Sequence, residues 1–193
     1  LAGQIGIIPE APSLTADEGI RRGTTVETLA ALEPAFVEDG VIHAGNSSQI
    51  SDGAGALLIT SAERARELGL TPIARYVGGA VAGSDPIEML TGPIPATAKL
   101  LKRTGIAARD IGTFEVNEAF APIPLAWLAE FDVDRDRVNP DGGAIATGHP
   151  LGGSGAILMT RMVHRMRRED IRYGLQTMCE GCGTANATLI ELL

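Results

Sequence analysis

A layered α/β fold is what this sequence predicts, on three observations. From Thr71-Pro72 onward, short apolar runs alternate with helix-like segments bounded by caps, prolines and glycines. The chain closes on two β-rich runs, 173–181 and 184–192, separated by a glycine-containing turn. And 45% of the 193 residues are hydrophobic, enough to build a core and too many for a disordered chain.

Residues 1–45 read as irregular, punctuated by Pro9, Pro12, Gly19, Gly23 and Pro34, with one short helix over 24–32. The apolar run 54–60 reads as a buried strand. Ser61 caps a helix that stops at Gly69. Then follow a strand over 73–82 and a helix over 95–103 with Gly105 just past its end. A strand over 111–117 leads into an apolar helix over 118–130, whose Pro122 and Pro124 must fall in its first turns. The segment 144–150 is a turn feeding a helix over 152–168, and the two terminal strands make an antiparallel hairpin. The order β-α-β-α-turn-α-β-β places helices on both faces of one sheet.

Composition narrows the function. A net charge of −8 argues against nucleic acid, whose phosphates require Lys and Arg. No apolar run approaches the ~18 residues of a membrane span, so no membrane partner is expected. The opening LAGQIGIIPEAP has no basic stretch ahead of its apolar residues, so no secretory leader is expected. Two cysteines in this length fit a reducing, cytoplasmic setting.

Three constellations carry chemistry. Cys179 and Cys182 form C-x-x-C, but in a strand-turn-strand context rather than at a helix start, where a redox dithiol is activated. Zinc needs two more ligands, and His43, His149 and His164 are not paired at ligand spacing. Two structural cysteines, or one reactive thiol beside the amides of Gly181 and Gly183, remain open. The run GGAIATGHPLGGSGA lacks the Gly-Lys-Ser/Thr of a P-loop and sets His149 in a turn before a helix N-terminus. The run VNEAFAPIP puts Asn117 and Glu118 at the end of an apolar strand, where open α/β sheets place their sites, or where the pair simply caps the next helix. Asn, His and Cys on three separate strand ends suggest one shared pocket.

NEAFA, GGAIATGHPLGGSG and CEGCG, in this order, closely resemble the three C-terminal motifs of the thiolases. RRGTTVETLAALEPAF and AGNSSQISDGA resemble upstream thiolase segments, so the likeness covers essentially the whole chain. The wording around MCEGCG and ANATLIE resembles the degradative acetyl-CoA acyltransferase (3-ketoacyl-CoA thiolase) branch. The resemblance implies CoA-dependent cleavage of a 3-ketoacyl-CoA, or the reverse condensation, with CoA as co-substrate and no tightly bound cofactor. It implies that His149 activates a nucleophilic cysteine and that Cys179 is the acid/base cysteine. Asn117 would hold a water that, with His149, forms one oxyanion hole, and the Gly181 amide would contribute to the other. Cys182 stands where the family usually has Gly. Arg22, Thr28, Phe36, Ala44, Ser48 and Phe120 fall where the family meets CoA.

The resemblance also implies a division. Residues 1–45 correspond to the tail of the loop domain, 46–71 to the last segment of the N-terminal half, and 72–193 to the C-terminal βαβαβαββ half. The nucleophilic cysteine belongs to the N-terminal half, so this chain is expected to be inactive alone and to work with that half, in a homo-oligomer. The strand over 54–60 would find its sheet neighbours on the same half. A non-catalytic thiolase-like subunit that binds CoA or scaffolds a partner is the alternative reading.

Overall fold

The computed structural model describes Gly6 and residues 9–193; the irregular reading of 1–5, 7 and 8 lies outside the described residues. The chain divides into two compact units, Leu1–Gly45 and Asn46–Leu193. In the first, α1 (Val26–Ala30) is fixed by a reciprocal capping box. The Thr25 hydroxyl accepts the Thr28 N–H at 3.2 Å, and the Thr28 hydroxyl accepts the Thr25 N–H at 2.8 Å. The box starts the helix two residues later than the sequence predicts. None of its residues is buried, so no packing extends it. Beyond it, the Ala35 N–H donates to the Ile42 carbonyl at 2.8 Å and closes a loop.

The second unit is built on a four-stranded sheet in the order β1-β4-β3-β2, with β1 Ala74–Gly83, β2 Thr113–Val116, β3 Tyr173–Glu180 and β4 Thr184–Leu192. β4 runs antiparallel to β1 and β3, and β2 runs parallel to β3. The predicted terminal hairpin is therefore present. α3 (Pro93–Thr104) and α4 (Pro122–Glu130) cover one face, where Leu100, Phe114, Trp127, Leu175 and Leu189 form the main core. α6 (Ser154–Glu169) packs against the sheet through Met162 and Met166, which form a second, smaller core with Ile190. Gly174 on β3 permits that approach, because a side chain there would overlap the Met166 and Met162 sulfurs. In the main core the Trp127 indole N–H finds its one acceptor, the Thr97 hydroxyl, at 3.0 Å. The outer edge of β1 is blunted by α3, whose Lys99 and Arg103 donate to the Val81 and Gly79 carbonyls.

Several elements differ from expectation. The run 54–60 forms no strand: a strand exists only with a ladder partner, and none of the described residues supplies one. Leu58 and Ile59 are 81% and 80% exposed. α2 (Ala62–Glu67) is capped by Ser61 as predicted, and Gly69 follows in the left-handed conformation. α3 begins at Pro93, two residues early. The helix expected from 118 begins only at Pro122, because 119–121 are engaged in pairing with 46–48. Both prolines then sit in its first turn, where their missing N–H groups cost nothing. The turn 144–150 holds one helical turn of its own, α5 (Ala144–Thr147).

Candidate active site

Asn117 follows β2 directly. Its N–H donates to the Thr177 carbonyl at 3.0 Å, so the ladder carries it to the strand's C-terminal end. The residue is 1% exposed. Its side-chain Nδ2 lies 4.0 Å from the Cys179 Sγ, and its Oδ1 is buried with no protein partner among the described residues. A buried acceptor without a protein partner is a place where a bound water or a substrate group can be held.

Cys179 is the next-to-last residue of β3, paired in register with Ala185. Burial raises its thiol above the ordinary range, opposed by the Asn117 amide and by the backbone N–H of Ala119. The thiol is therefore protonated at neutral pH, in the state that can give a proton. Gly181 stands at the hairpin tip two residues on, where an added side chain would touch no atom of the chain. Cys182 follows at φ +61 and is exposed. Both cysteines are free. The C-x-x-C thus runs from a strand into a 3-10 turn and not into a helix, so it lacks the helix N-terminus that activates a redox pair.

His149 lies in the loop between α5 and α6 and not at a strand end as expected, because one helical turn precedes it and its backbone N–H is taken by the Gln49 carbonyl at 2.7 Å. Burial lowers its ring below the ordinary pKa, so the imidazole is neutral and able to accept a proton. Its Nδ1 lies 2.6 Å from the hydroxyl of Ser154, itself 2.9 Å from the Pro150 carbonyl. When that hydroxyl gives its one hydrogen to the carbonyl, it takes the Nδ1–H, and Nε2 is left bare as the base.

The segment 46–50 stitches these parts together. The Ser48 N–H and hydroxyl both donate to the Ala119 carbonyl, at 3.1 and 3.2 Å, and the Ala121 N–H donates to Asn46 at 2.9 Å. One residue further, Gln49 and Ile50 hold His149. A run of hydrogen bonds thus connects Cys179, Ala119, Ser48 and the segment holding His149. Ser48 and Phe120 are brought into this pairing through the Ser47–Phe120 bridge. Arg22, Thr28, Phe36 and Ala44 belong to the first unit, where Arg22 and Phe36 are exposed and the Thr28 hydroxyl is spent on the α1 cap. Sequence reasoning missed Ala119 and Gln49, which act through backbone groups and leave no side-chain signal. It also missed Ser154, the first residue of α6, five residues after His149 and just past a glycine-rich turn, whose spacing was the available clue.

Known proteins share this sequence pattern and fold. The family model for the thiolase C-terminal domain matches residues 70–192, and that for the thiolase N-terminal domain matches 8–63. The chain is 51% identical to the steroid 3-ketoacyl-CoA thiolase FadA6 of Mycobacterium tuberculosis, over 98% of its own length and 46% of the relative's. It is 49% identical to the 3-ketoacyl-CoA thiolase FadA of Escherichia coli, over 91% of its length and 46% of the relative's. The crystal structure of human mitochondrial 3-ketoacyl-CoA thiolase in complex with CoA superposes with a TM-score of 0.88 at 44% identity, covering 92% of this chain and 45% of that one. The acetyl-CoA acetyltransferase of Bacillus anthracis superposes with the same score at 42% identity, with the same coverage. The chain spans about half the length of the curated relatives it matches. With both family models, a sequence half identical to these relatives and the same fold, the chain belongs to the thiolase family.

Proposed function

We propose that this chain is the C-terminal part of a degradative acyl-CoA thiolase, which cleaves a 3-ketoacyl-CoA with CoA to acetyl-CoA and a shortened acyl-CoA. An N-terminal half supplies the nucleophilic cysteine. His149, through Nε2, takes that thiol's proton, and the thiolate attacks the 3-keto carbon. A water held by the Asn117 amide forms one oxyanion hole together with His149, and the Gly181 amide contributes to the other, so that each oxyanion that develops meets hydrogen-bond donors. The bond between C2 and C3 then breaks. The acetyl-CoA enolate takes its proton from Cys179. In the second half reaction Cys179, now a thiolate, accepts the proton of CoA, whose sulfur displaces the acyl group from the nucleophile; the departing thiolate takes its proton back from His149.

The observation that carries this reading is the pairing of Asn117 with Cys179 at one sheet end, Asn117 Oδ1 orphaned and Cys179 held protonated by burial. Catalysis needs that poise: an acid that keeps its proton until an enolate forms. Arg22, Thr28, Phe36, Ala44, Ser48 and Phe120 are assigned to CoA by likeness, with CoA a co-substrate and no resident cofactor. The assembled enzyme is a cytoplasmic homo-oligomer with no nucleic-acid or membrane partner. No helix among the described residues is long and apolar enough to cross a membrane.

The test is co-expression of this chain with the N-terminal half, followed by acetoacetyl-CoA thiolysis. Turnover by the pair, none by the chain alone, and loss with Cys179→Ala support the reading. Undiminished turnover by C179A in the pair would sink it.

A further inference from the structure

The proposed mechanism requires Asn117 and His149 to stand at a fixed separation, yet they lie on different segments 32 positions apart. The Asn139 side chain supplies half of a link between those segments. Its Oδ1 accepts the Val116 N–H and its Nδ2 donates to the Val116 carbonyl, both at 2.8 Å. That amide makes the two bonds a neighbouring strand would make, on the last residue of β2, immediately before Asn117. Asn139 is held in place by its own N–H on the Phe114 carbonyl at 2.9 Å, at φ +48, a conformation Asn tolerates.

Glu118 supplies the other half. Its Oε1 accepts the second Nδ2 hydrogen of Asn139 at 2.8 Å, and its Oε2 accepts the Ile145 N–H at 3.1 Å. Ile145 lies in α5, four residues before His149. Gly143, at the N-cap of α5, packs on the same carboxyl group so closely that a Cβ there would overlap it. Its φ lies outside the left-handed region, so what a side chain there would disturb is the contact with the Glu118 carboxyl group, which would have to shift.

We propose that Glu118 and Asn139 are positioning residues that set the Asn117–His149 separation, one carboxylate joining the strand end to the turn that carries the histidine. The proposal rests on the thiolase reading above. It goes beyond that reading in assigning catalytic consequence to residues that touch neither substrate nor reacting atoms.

The test uses the enzyme assembled from this chain and the N-terminal half. In Glu118→Gln, one amide face must meet a donor whichever way it is turned, since both Asn139 and Ile145 donate. E118Q should lower kcat about 100-fold, the scale of a misplacement of about 1 Å, with KM for CoA changed less than about twofold. Asn139→Gly, which keeps the backbone conformation and deletes the link, should do the same. Gly143→Ala should also lower kcat by displacing the Glu118 carboxyl group, and adding Glu118→Ala to G143A should lower it little further, because both changes break the same link. Amide exchange should accelerate at Ile145 in E118Q and at Val116 in N139G. Wild-type assembly without turnover would overturn the thiolase reading itself. Active wild type with unchanged kcat in E118Q and N139G, or a loss confined to KM, would overturn this proposal and leave that reading standing.

Discussion

Glu115 lies on β2 and is 1% exposed, with Oε2 buried and unpartnered among the described residues. Burial pushes its pKa up from 4.5 to about 8; Arg161 and Arg165 pull it down, and Asp141 and Glu118 push it up. An unfolded Glu ionises near ~4.3. Between that value and about 8 the folded chain therefore holds one more proton than the unfolded chain, and stability falls as pH rises through this window. The contribution is fully present below about pH 4 and exhausted above about pH 8. At about 1.36 kcal/mol per pH unit the whole fall is about 5 kcal/mol, a large share of the ~5–15 kcal/mol of a typical domain. Glu115→Gln replaces the neutral acid by a neutral amide of the same shape. Urea unfolding of both proteins from pH 5 to pH 8 is the assay. At pH 5 the two should agree within about 1 kcal/mol, and E115Q should gain on wild type by roughly 1 kcal/mol per pH unit thereafter. The difference between the curves isolates Glu115 from other carboxylates, such as Glu191, which Arg75 and Arg172 hold below its ordinary pKa. Parallel curves would refute the reasoning.

Other outcomes follow from the same geometry. Thr97→Val keeps the shape of the core but orphans the buried Trp127 indole N–H, so it should cost about 1–3 kcal/mol in denaturant unfolding. Cys182→Gly relieves a left-handed conformation at φ +61; it should raise stability by about 1 kcal/mol and leave turnover of the assembled enzyme unchanged. With a thiol reagent at pH 8, mass spectrometry should find exposed Cys182 labelled well before Cys179, whose thiol burial keeps protonated; equal rates would contradict the geometry. Ser154→Ala removes the partner of His149 Nδ1 and should lower kcat of the assembled enzyme about 10-fold or more while leaving binding of CoA intact.

Much of the fold was legible because local signals and tertiary packing agree. Ser61 and Gly105 mark helix ends through their own backbone preferences, and the β-rich pair 173–192 has its partner next to it in sequence. The run 54–60 failed as a strand for the opposite reason. Its apolar composition says that it is suited to burial, while a ladder depends on a neighbour that sequence periodicity does not reveal. The late start of α4 likewise comes from long-range pairing with 46–48. In the site, Asn117, His149 and Cys179 were visible through their side-chain chemistry and motif wording. Ala119 and Gln49 were not, since any residue type offers the same N–H and C=O. Asn139 was not singled out either. It sits in an unremarkable Val-Asn-Pro, and its importance comes from what folds beside it.

The short strap of residues 46–50 bears on how this protein could be divided or recombined. The two family models meet between residues 63 and 70, a natural place to cut when fusing halves of different relatives. Yet the strap lies upstream of that joint while gripping Ala119 and His149 far downstream. A chimera joined there would inherit its strap from one parent and the loops it grips from the other. Such hybrids should do well only when the graft begins before Asn46, which makes that residue, and not the joint between the models, the working frontier of the C-terminal module.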